Sequence, residues 1–189
     1  MGTIAVTEFI SLDGVMEDPG GSEQSKHGAW TFAFDRGEEG DRFKLDEVLE
    51  ADAQLLGRVT YEGFAAAWPS YTDEVGFADK MNSMPKYVVS KTLKTADWNN
   101  STILSGDVVE EVKKLKDDVD GVILVAGSAQ LVQTLIEHDL VDELRLMVFP
   151  VVLGSGKRLF GETTDLKTLQ LANSEIVGDG IAILTYGRA

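Results

Sequence analysis

Short apolar segments alternate with segments of helical periodicity along most of this chain. Strands are indicated at 3–10, 53–56, 85–90, 102–104 and 122–126, and amphipathic stripes predict helices at 41–52, from Thr60, at 107–118 and from Ser128. The last third of the chain predicts three more strands, at 143–149, 169–176 and 181–187. This order predicts an α/β three-layer sandwich, with a mixed, mostly parallel central sheet and antiparallel strands at its C-terminal edge. No repeat, low-complexity tract or linker interrupts the pattern, so we expect a single domain over residues 1–189.

The segment 17–40 departs from both periodicities. It is rich in Gly, Ser and Asp and is broken by Trp30, Phe32 and Phe34. Long irregular segments in a compact domain are usually functional or disordered. The aromatic residues favour a functional loop that they anchor to the core.

Composition narrows the classes of ligand and partner. The net charge is −15, with an isoelectric point near 4.4, which opposes nucleic acid and anionic membranes as partners. The chain has no cysteine, and its two histidines, His27 and His138, are not spaced as metal ligands. The apolar runs are too short to span a bilayer. We therefore expect a cytoplasmic protein without a metal site that acts on a small molecule.

Two strand-to-helix turns carry the strongest chemical signal. In one, a buried strand runs into Gly57, Arg58, Val59 and Thr60, and in the other a buried strand runs into Gly127 and Ser128. Such turns point unpaired helix N-terminal amides at one place, which suits phosphate groups. Neither turn is a G-x-G-x-x-G fingerprint, and each is also compatible with an ordinary helix start. Two such turns in one domain nevertheless suggest a phosphate-bearing cofactor.

Cations must be concentrated locally if so acidic a protein binds a phosphorylated ligand. The candidates are Arg58, Lys91, Lys157 and Arg158. Lys91 lies between Ser90 and Thr92 at the carboxyl end of a predicted strand, where open α/β sheets place their ligands. Together with Arg58 it could hold the 2′-phosphate that distinguishes NADPH from NADH; a solvated strand end explains it equally well.

Two carboxylates are candidates for catalysis. Asp13 and Gly14 follow the first strand, and Asp41 lies at the start of a predicted helix. Structural roles are open for both, because Asp-Gly is a turn signal and a carboxylate is favoured at a helix N-terminus.

In this order the segments resemble the dihydrofolate reductase-like superfamily, and within it the C-terminal reductase domain of the bifunctional riboflavin-synthesis enzyme. The resemblance covers essentially the whole chain. It rests on the segments 11–14, 50–62, 86–90, 124–128 and 150–160.

The resemblance implies an NADPH-dependent reductase of a C=N bond in a substrate of the pyrimidine or pterin type, acting as a homodimer. The residues that it implies for the cofactor are Gly57, Arg58 and Thr60 at the phosphates, Ser90, Lys91 and Thr92 at the adenosine phosphate end, and Gly127, Ser128, Ala129, Gln130 and Leu131 around the pyrophosphate.

On the substrate side, the resemblance implies that the loop of Asp13 and Gly14 covers the nicotinamide and the substrate. Lys157 or Arg158 would meet a substrate phosphate, and Asp41 would be the helix carboxylate of a folate-type site. The preferred substrate is 5-amino-6-(5-phosphoribosylamino)uracil.

Two other functions stay open. One is dihydrofolate reduction, although the segment 17–40 lacks the Trp-x-Leu-Pro pattern of folate sites. The other is a non-catalytic nucleotide-binding module on the same scaffold. No cysteine is present to serve a zinc deaminase domain of the kind that often accompanies the riboflavin reductase.

Overall fold

A computed structural model describes residues 1–189. Its strands are β1 Thr3–Ser11, β2 Ala51–Gly57, β3 Lys86–Val89, β4 Ser101–Leu104, β5 Val122–Val125, β6 Glu143–Phe149, β7 Leu169–Val177 and β8 Ile181–Arg188. Its helices are α1 Gly37–Glu50, α2 Arg58–Ala67, α3 Phe77–Ser83, α4 Val108–Asp118 and α5 Ala129–Glu137, with short 3-10 helices at Trp30–Ala33 and Trp68–Ser70.

All eight strands form one sheet in the order β4-β3-β2-β5-β1-β6-β8-β7. The strands from β4 to β6 are parallel to their neighbours, whereas β8 runs antiparallel to both β6 and β7. The mixed sheet with antiparallel C-terminal edge strands is therefore confirmed. It follows from the sequence order, because long connections, most of them helical, join the parallel strands and a tight turn joins β7 to β8.

Helices cover both faces of the sheet. On one face α1, α2 and α3 pack over a cluster that includes Val48, Tyr61 and Met81. On the other face α4 and α5 bury Val112 and Leu135 against the larger cluster. The apolar stripes predicted for α4 and α5 are the sides that those two helices bury, whereas the predicted stripe of α1 leaves Leu49 44% exposed. Helices on both faces of the sheet confirm the three-layer arrangement. None of the helices combines the length and the apolarity that a bilayer crossing needs.

Several local predictions need correction. Helix α1 begins at Gly37, four positions before the predicted start at 41, because its first turn is polar and has no apolar stripe to reveal it. Trp30 is buried as an anchor, but Phe32 is 76% exposed and anchors nothing. At the predicted start of the helix over 107–118, the side chain of Asp107 caps α4 and accepts from the amides of Val109 and Glu110. The carboxylate of Glu110 pairs with Lys113.

A buried lysine holds the start of β3. Lys86 is completely buried, and its Nζ donates to the carbonyls of Asn82, Met84 and Asn99 at 2.8–3.0 Å. Nζ also lies 4.2 Å from the ring centroid of Trp98. Burial lowers the pKa of Lys86 to about 8. The lysine therefore joins α3, β3 and the loop before β4.

Candidate functional site

The sheet opens between β1 and β5 at its carboxyl edge. The two strands pair only from Thr3 and Val122 to Val6 and Val125. Beyond that point β1 continues beside β6 as far as Ser11, while the chain leaves β5 for α5. The connection after β1 crosses to β2 on one side, and the connection after β5 crosses to β6 on the other. This is a topological switch point, the place where open α/β sheets bind their ligands.

The two glycine turns meet beside this crevice. The amide of Gly57 donates to the carbonyl of Gly127 at 3.2 Å. A Cβ on Gly57 would collide with the side chain of Ser128, and a Cβ on Gly127 would lie 2.7 Å from Oγ1 of Thr60. Gly127 also has a φ of +82° and a cis peptide bond to Ser128. Only glycine at both positions allows the turns to approach so closely.

Helix N-termini line the same place. Neither α2, which follows Gly57, nor α5, which follows Ser128, is capped by a side chain. In α5 the amide of Val132 bonds to the carbonyl of Ser128, so the amides of the first turn before it have no partner in the helix. These amides can bind an anion, and the helix dipole favours one.

A buried carboxyl group that the sequence analysis did not single out takes one amide of this turn. Glu8 lies on β1 just past the end of its pairing with β5, and its Oε1 accepts from the amide of Gly127 at 2.6 Å. Glu8 is 9% exposed, and burial raises its pKa to about 8. The sequence signal that could have pointed to Glu8 is the presence of a charged residue inside an otherwise apolar strand. A phosphate cradle at this turn would therefore begin at Ser128, since Gly127 already donates to Glu8.

The strand end at Ser90 carries three of the other predicted cofactor contacts, Ser90, Lys91 and Thr92. Ser90 is buried, and its Oγ accepts from the amides of Thr92 at 3.2 Å and Leu93 at 2.9 Å, so it shapes the turn. Lys91 is exposed and forms no ion pair. Arg58, across the edge of the sheet, is half-exposed and pairs with Glu62 at 2.8 Å. Exposed pairs of this kind are weak, so Arg58 can exchange Glu62 for another anion.

The residues predicted for the substrate side form a second group. Asp13 accepts from the hydroxyl of Ser11 at 2.6 Å and from the amides of Leu153 and Gly154 at 3.1 and 2.9 Å. These hydrogen bonds lower the pKa of Asp13 to about 2. Arg158 donates to the carbonyl of Asp13. The carboxylate of Asp13 therefore ties the loop after β1 to the segment after β6.

Lys157 and Gly14 belong to the same group of loops. Lys157 pairs with Glu17 at 3.6 Å and with Glu23 at 3.1 Å, and the hydrogen bond that Lys157 donates to Glu23 raises the pKa of Lys157. The carbonyl of Gly14 accepts from the amide of Leu159 at 2.9 Å. The structure thus brings Asp13, Gly14, Lys157 and Arg158 together, with every charge in the group already paired.

A cavity of about 370 Å³ opens on the α1 face of the same edge. Its lining includes Phe9, Phe34, Arg36 and Asp41. Phe9 follows Glu8 on β1, so the ring and the buried carboxyl group lie on opposite faces of the strand. Their positions along the strand differ by the rise of one residue, about 3.3 Å. The volume and the aromatic surface suit a small planar ligand.

Asp41 lies in the wall of this cavity, but it is not buried. Its side chain is 66% exposed and pairs with Arg36 at 2.8 Å. Asp41 lies within α1 and not at its start, so a helix-capping role does not explain why an acidic residue is found at this position.

A buried network lies under α1, deeper in the fold. The hydroxyl of Thr7 donates to Glu47 at 3.0 Å and accepts from Nζ of Lys44 at 3.0 Å. Lys44 also pairs with Glu47 and lies 4.8 Å from the ring centroid of Phe9. Oε2 of Glu47 is buried without a partner. The helical periodicity of α1 did not reveal this polar interior, which places a lysine beside the wall of the cavity.

The donor set fits a phosphate-bearing dinucleotide. Two glycines allow backbone approach, two uncapped helix N-termini supply amides, and Lys91 is an unpaired cation at the same edge. The described residues contain no group of three or more His, Cys, Asp or Glu side chains that could hold a metal ion.

Two relatives at the sequence level are named as uncharacterized proteins. The chain is 33% identical to the uncharacterized protein YyaP of Bacillus subtilis (strain 168) over 144 residues, which is 75% of this chain and 76% of YyaP. It is 31% identical to the uncharacterized protein YwjB of the same organism over 180 residues, covering 95% and 94% of the two chains.

Solved structures share the fold at lower identity. A candidate riboflavin biosynthesis protein from Shewanella sp. PV-4 superposes with a TM-score of 0.79 and 23% identity, covering 99% of both chains. The deaminase/5-amino-6-(5-phosphoribosylamino)uracil reductase of Thermotoga maritima gives a TM-score of 0.67 and 17% identity, covering all of this chain and 57% of that one. Dihydrofolate reductase from Enterococcus faecalis, complexed with NADP(H), gives a TM-score of 0.58 and 16% identity, covering 99% of this chain and 96% of that one.

The family model of the RibD C-terminal domain matches residues 2–183, which is nearly the whole chain. The resemblance seen in the sequence is therefore confirmed, and the chain belongs to the RibD C-terminal domain family.

Proposed function

We propose that this protein is an NADPH-dependent reductase of a C=N bond in a substrate of the pyrimidine or pterin type, with 5-amino-6-(5-phosphoribosylamino)uracil, whose C=N carbon belongs to the opened ribose, as the first substrate to test. The observation that carries the proposal is the contact between the turns of Gly57 and Gly127 at the switch-point crevice. The aromatic cavity beside the crevice gives a planar substrate a place next to the dinucleotide.

The cofactor's phosphates would meet the amides of both helix N-termini. Ser128, Ala129, Gln130 and Leu131 would hold the pyrophosphate, and Thr60 and Arg58 would approach it from α2. Lys91 is the cation best placed for a 2′-phosphate, because it is exposed at the strand edge and forms no ion pair. When bound, NADPH supplies the hydride, and the chain contributes mainly by positioning.

The substrate would lie against Phe9, with Phe34 and Arg36 at the sides of the cavity. The loops joined by Asp13 would close the crevice, and Lys157 or Arg158 would have to exchange a carboxylate for a substrate phosphate. Both cations are about half-exposed, at 57% and 48%, so this exchange costs little.

Titration with NADPH and then with NADH tests the cofactor. The signal is the intrinsic fluorescence of the three tryptophans, together with the thermal midpoint. Micromolar binding with a clear preference for NADPH supports the proposal. If neither NADPH nor NADH binds, the proposal is wrong.

Oxidation of NADPH with the candidate substrates then separates the functions. Turnover of 5-amino-6-(5-phosphoribosylamino)uracil supports the preferred one. Turnover of dihydrofolate that Asp41→Asn abolishes would support a folate-type reductase instead. Tight NADPH binding without oxidation by any pyrimidine or pterin imine would indicate a nucleotide-binding module.

We also propose a homodimer that forms through the C-terminal edge of the sheet. Leu169, Leu171 and Ile176 of the edge strand β7 are 43, 49 and 72% exposed. Leu171 and Ile176 pair with Tyr186 and Ala182 of β8 on the α5 side of the sheet, whereas Glu175, the only acidic residue of β7, lies on the other face. Because β7 adds exposed apolar side chains and no carboxylate to this face, the face suits a second copy of a chain whose net charge is −15. Light scattering of Ile176→Lys against wild type tests it, and a monomeric wild type would refute it.

A further inference from the structure

Glu8 occupies the gap that opens where β1 and β5 stop pairing. Its side chain crosses from β1 to the β5–α5 turn, where Oε1 accepts from the amide of Gly127 at 2.6 Å. The residue is 9% exposed. One oxygen of this carboxyl group is thus held by the turn from which a dinucleotide cradle would start.

The second oxygen of Glu8 has no partner. Oε2 forms no hydrogen bond, yet it is not among the fully enclosed unpartnered atoms, which are Oε2 of Glu47, Oε1 of Gln54 and Oγ of Ser101. Oε2 therefore retains contact with solvent beside Gly127. A ligand that fills the crevice would take this remaining contact away.

Few charges act on Glu8. Lys44 and Glu47 of α1 oppose each other, the lysine favouring the carboxylate and the glutamate disfavouring it. Strand β5 contributes no charged residue, and the only one on α5 is Glu137, at the end of that helix away from the turn. Burial dominates and raises the pKa of Glu8 to about 8, against the opposing effects of the Gly127 amide and Lys44. Near neutral pH the group therefore carries a proton.

Resting on the proposed function, we propose that Glu8 contacts the bound dinucleotide through Oε2 and must be neutral for the dinucleotide to bind. Two physical effects require the proton. The ligand removes water from Oε2, and an anion without solvent is costly to bury. The ligand's phosphates, held at the α5 N-terminus, also place negative charge near the same group.

The magnitude follows from the neutral fraction of Glu8. With a pKa of about 8, roughly nine-tenths of the molecules are neutral at pH 7 and roughly one-tenth at pH 9. Because the apparent Kd is the intrinsic Kd divided by that fraction, NADPH should bind about tenfold more weakly at pH 9 than at pH 7. The ligand's own 2′-phosphate does not contribute, since such groups titrate near pH 6.

The test measures NADPH binding, not turnover, by fluorescence titration at pH 7 and pH 9. Glu8→Gln keeps an acceptor for the Gly127 amide and stays neutral, so its affinity should change less than twofold between the two pH values. Glu175→Gln on the edge strand is the control and should reproduce the tenfold change of the wild type. A wild-type affinity that does not fall at pH 9, or a fall that Glu8→Gln retains, would overturn the proposal.

A second measurement uses the wild type alone, so it stands even if Glu8→Gln does not fold. Calorimetry of NADPH binding at pH 8 in two buffers of different ionisation enthalpy reports the protons taken up. We expect about half a proton per NADPH, because half of the free protein is neutral at its pKa. Binding without proton uptake would refute the role of Glu8 and leave the proposed function intact. No NADPH binding at any pH would overturn both.

Discussion

Replacing Gly57 by alanine tests the contact between the two glycine turns directly. The φ of Gly57 is −74°, which alanine adopts without strain, so the effect of the substitution is purely steric. The new methyl group would lie 2.8 Å from Cβ and 2.9 Å from the backbone nitrogen of Ser128, where ordinary contact begins at 3.4 Å. The turns must therefore move apart by roughly half an ångström.

The cost follows from two opposing effects. Overpacking at a rigid contact costs about 1–3 kcal/mol, and the reduced entropy of the unfolded chain returns about 0.4–1 kcal/mol. We expect the free energy of unfolding to fall by about 1–2 kcal/mol and the Tm by about 2–8 °C. NADPH affinity should fall by about tenfold or more, because helix amides that no longer converge lose hydrogen bonds to phosphate.

Gly63→Ala is the matched control within the same helix. Its methyl group meets only Oγ of Ser22, at 3.7 Å, so α2 should gain about 0.5–1 kcal/mol. Adding Ser128→Gly to Gly57→Ala removes most of the collision and should restore part of the stability. Urea and thermal unfolding, followed by NADPH titration, measure each variant. If Gly57→Ala matches Gly63→Ala in stability and binds NADPH as wild type does, the two turns are not in contact.

Three further predictions concern charged side chains. Lys91→Ala should reduce the preference for NADPH over NADH, and an unaltered ratio of the two affinities would exclude a contact between Lys91 and the 2′-phosphate. Lys86→Met leaves three carbonyl acceptors unpaired and should lower the free energy of unfolding by about 3 kcal/mol in urea titrations, whereas Lys91→Met should change it little. The pKa of Asp13 is lowered from 3.8 to about 2, so its ionised form stabilises the fold above pH 4, and this contribution is lost as the pH falls towards 2. Asp13→Asn should accordingly lower the Tm at pH 7 and weaken its dependence on pH below 4; a Tm equal to that of wild type at pH 7 would contradict the three hydrogen bonds.

The fold could be predicted where its signals are local. The stripe of α5 and the apolar run of β5 are visible within a dozen residues, and in the structure β5 ends one residue before its predicted end and α5 begins one residue after its predicted start. The early start of α1 and the whole of α3 were missed. The first turn of α1 is polar, and α3 spans only seven residues, too few for a clear periodicity.

The candidate site divides in the same way. The glycine turns at Gly57 and Gly127 are visible because each is a strand, a glycine and a helix in succession. Their hydrogen bond across seventy residues depends on β2 lying next to β5 in the sheet, which neither turn determines. The roles of Asp13 and Lys157 were open for the same reason, since the amides that Asp13 accepts from in the segment after β6, and the Glu23 partner of Lys157, lie more than 130 residues away.

By itself, then, the sequence determined the class of fold, the two strand–glycine–helix turns and the absence of cysteine chemistry, because periodicity, turn formation and residue type are local properties. Only the tertiary structure decided that Glu8 bonds to Gly127, that the candidate cations Arg58, Lys157 and Arg158 are paired while Lys91 is not, and that Phe9 and Asp41 line one cavity. These contacts follow from strand order and register. Both are set by how the whole core packs, so the pKa of a group such as Glu8 depends on residues far from it along the chain.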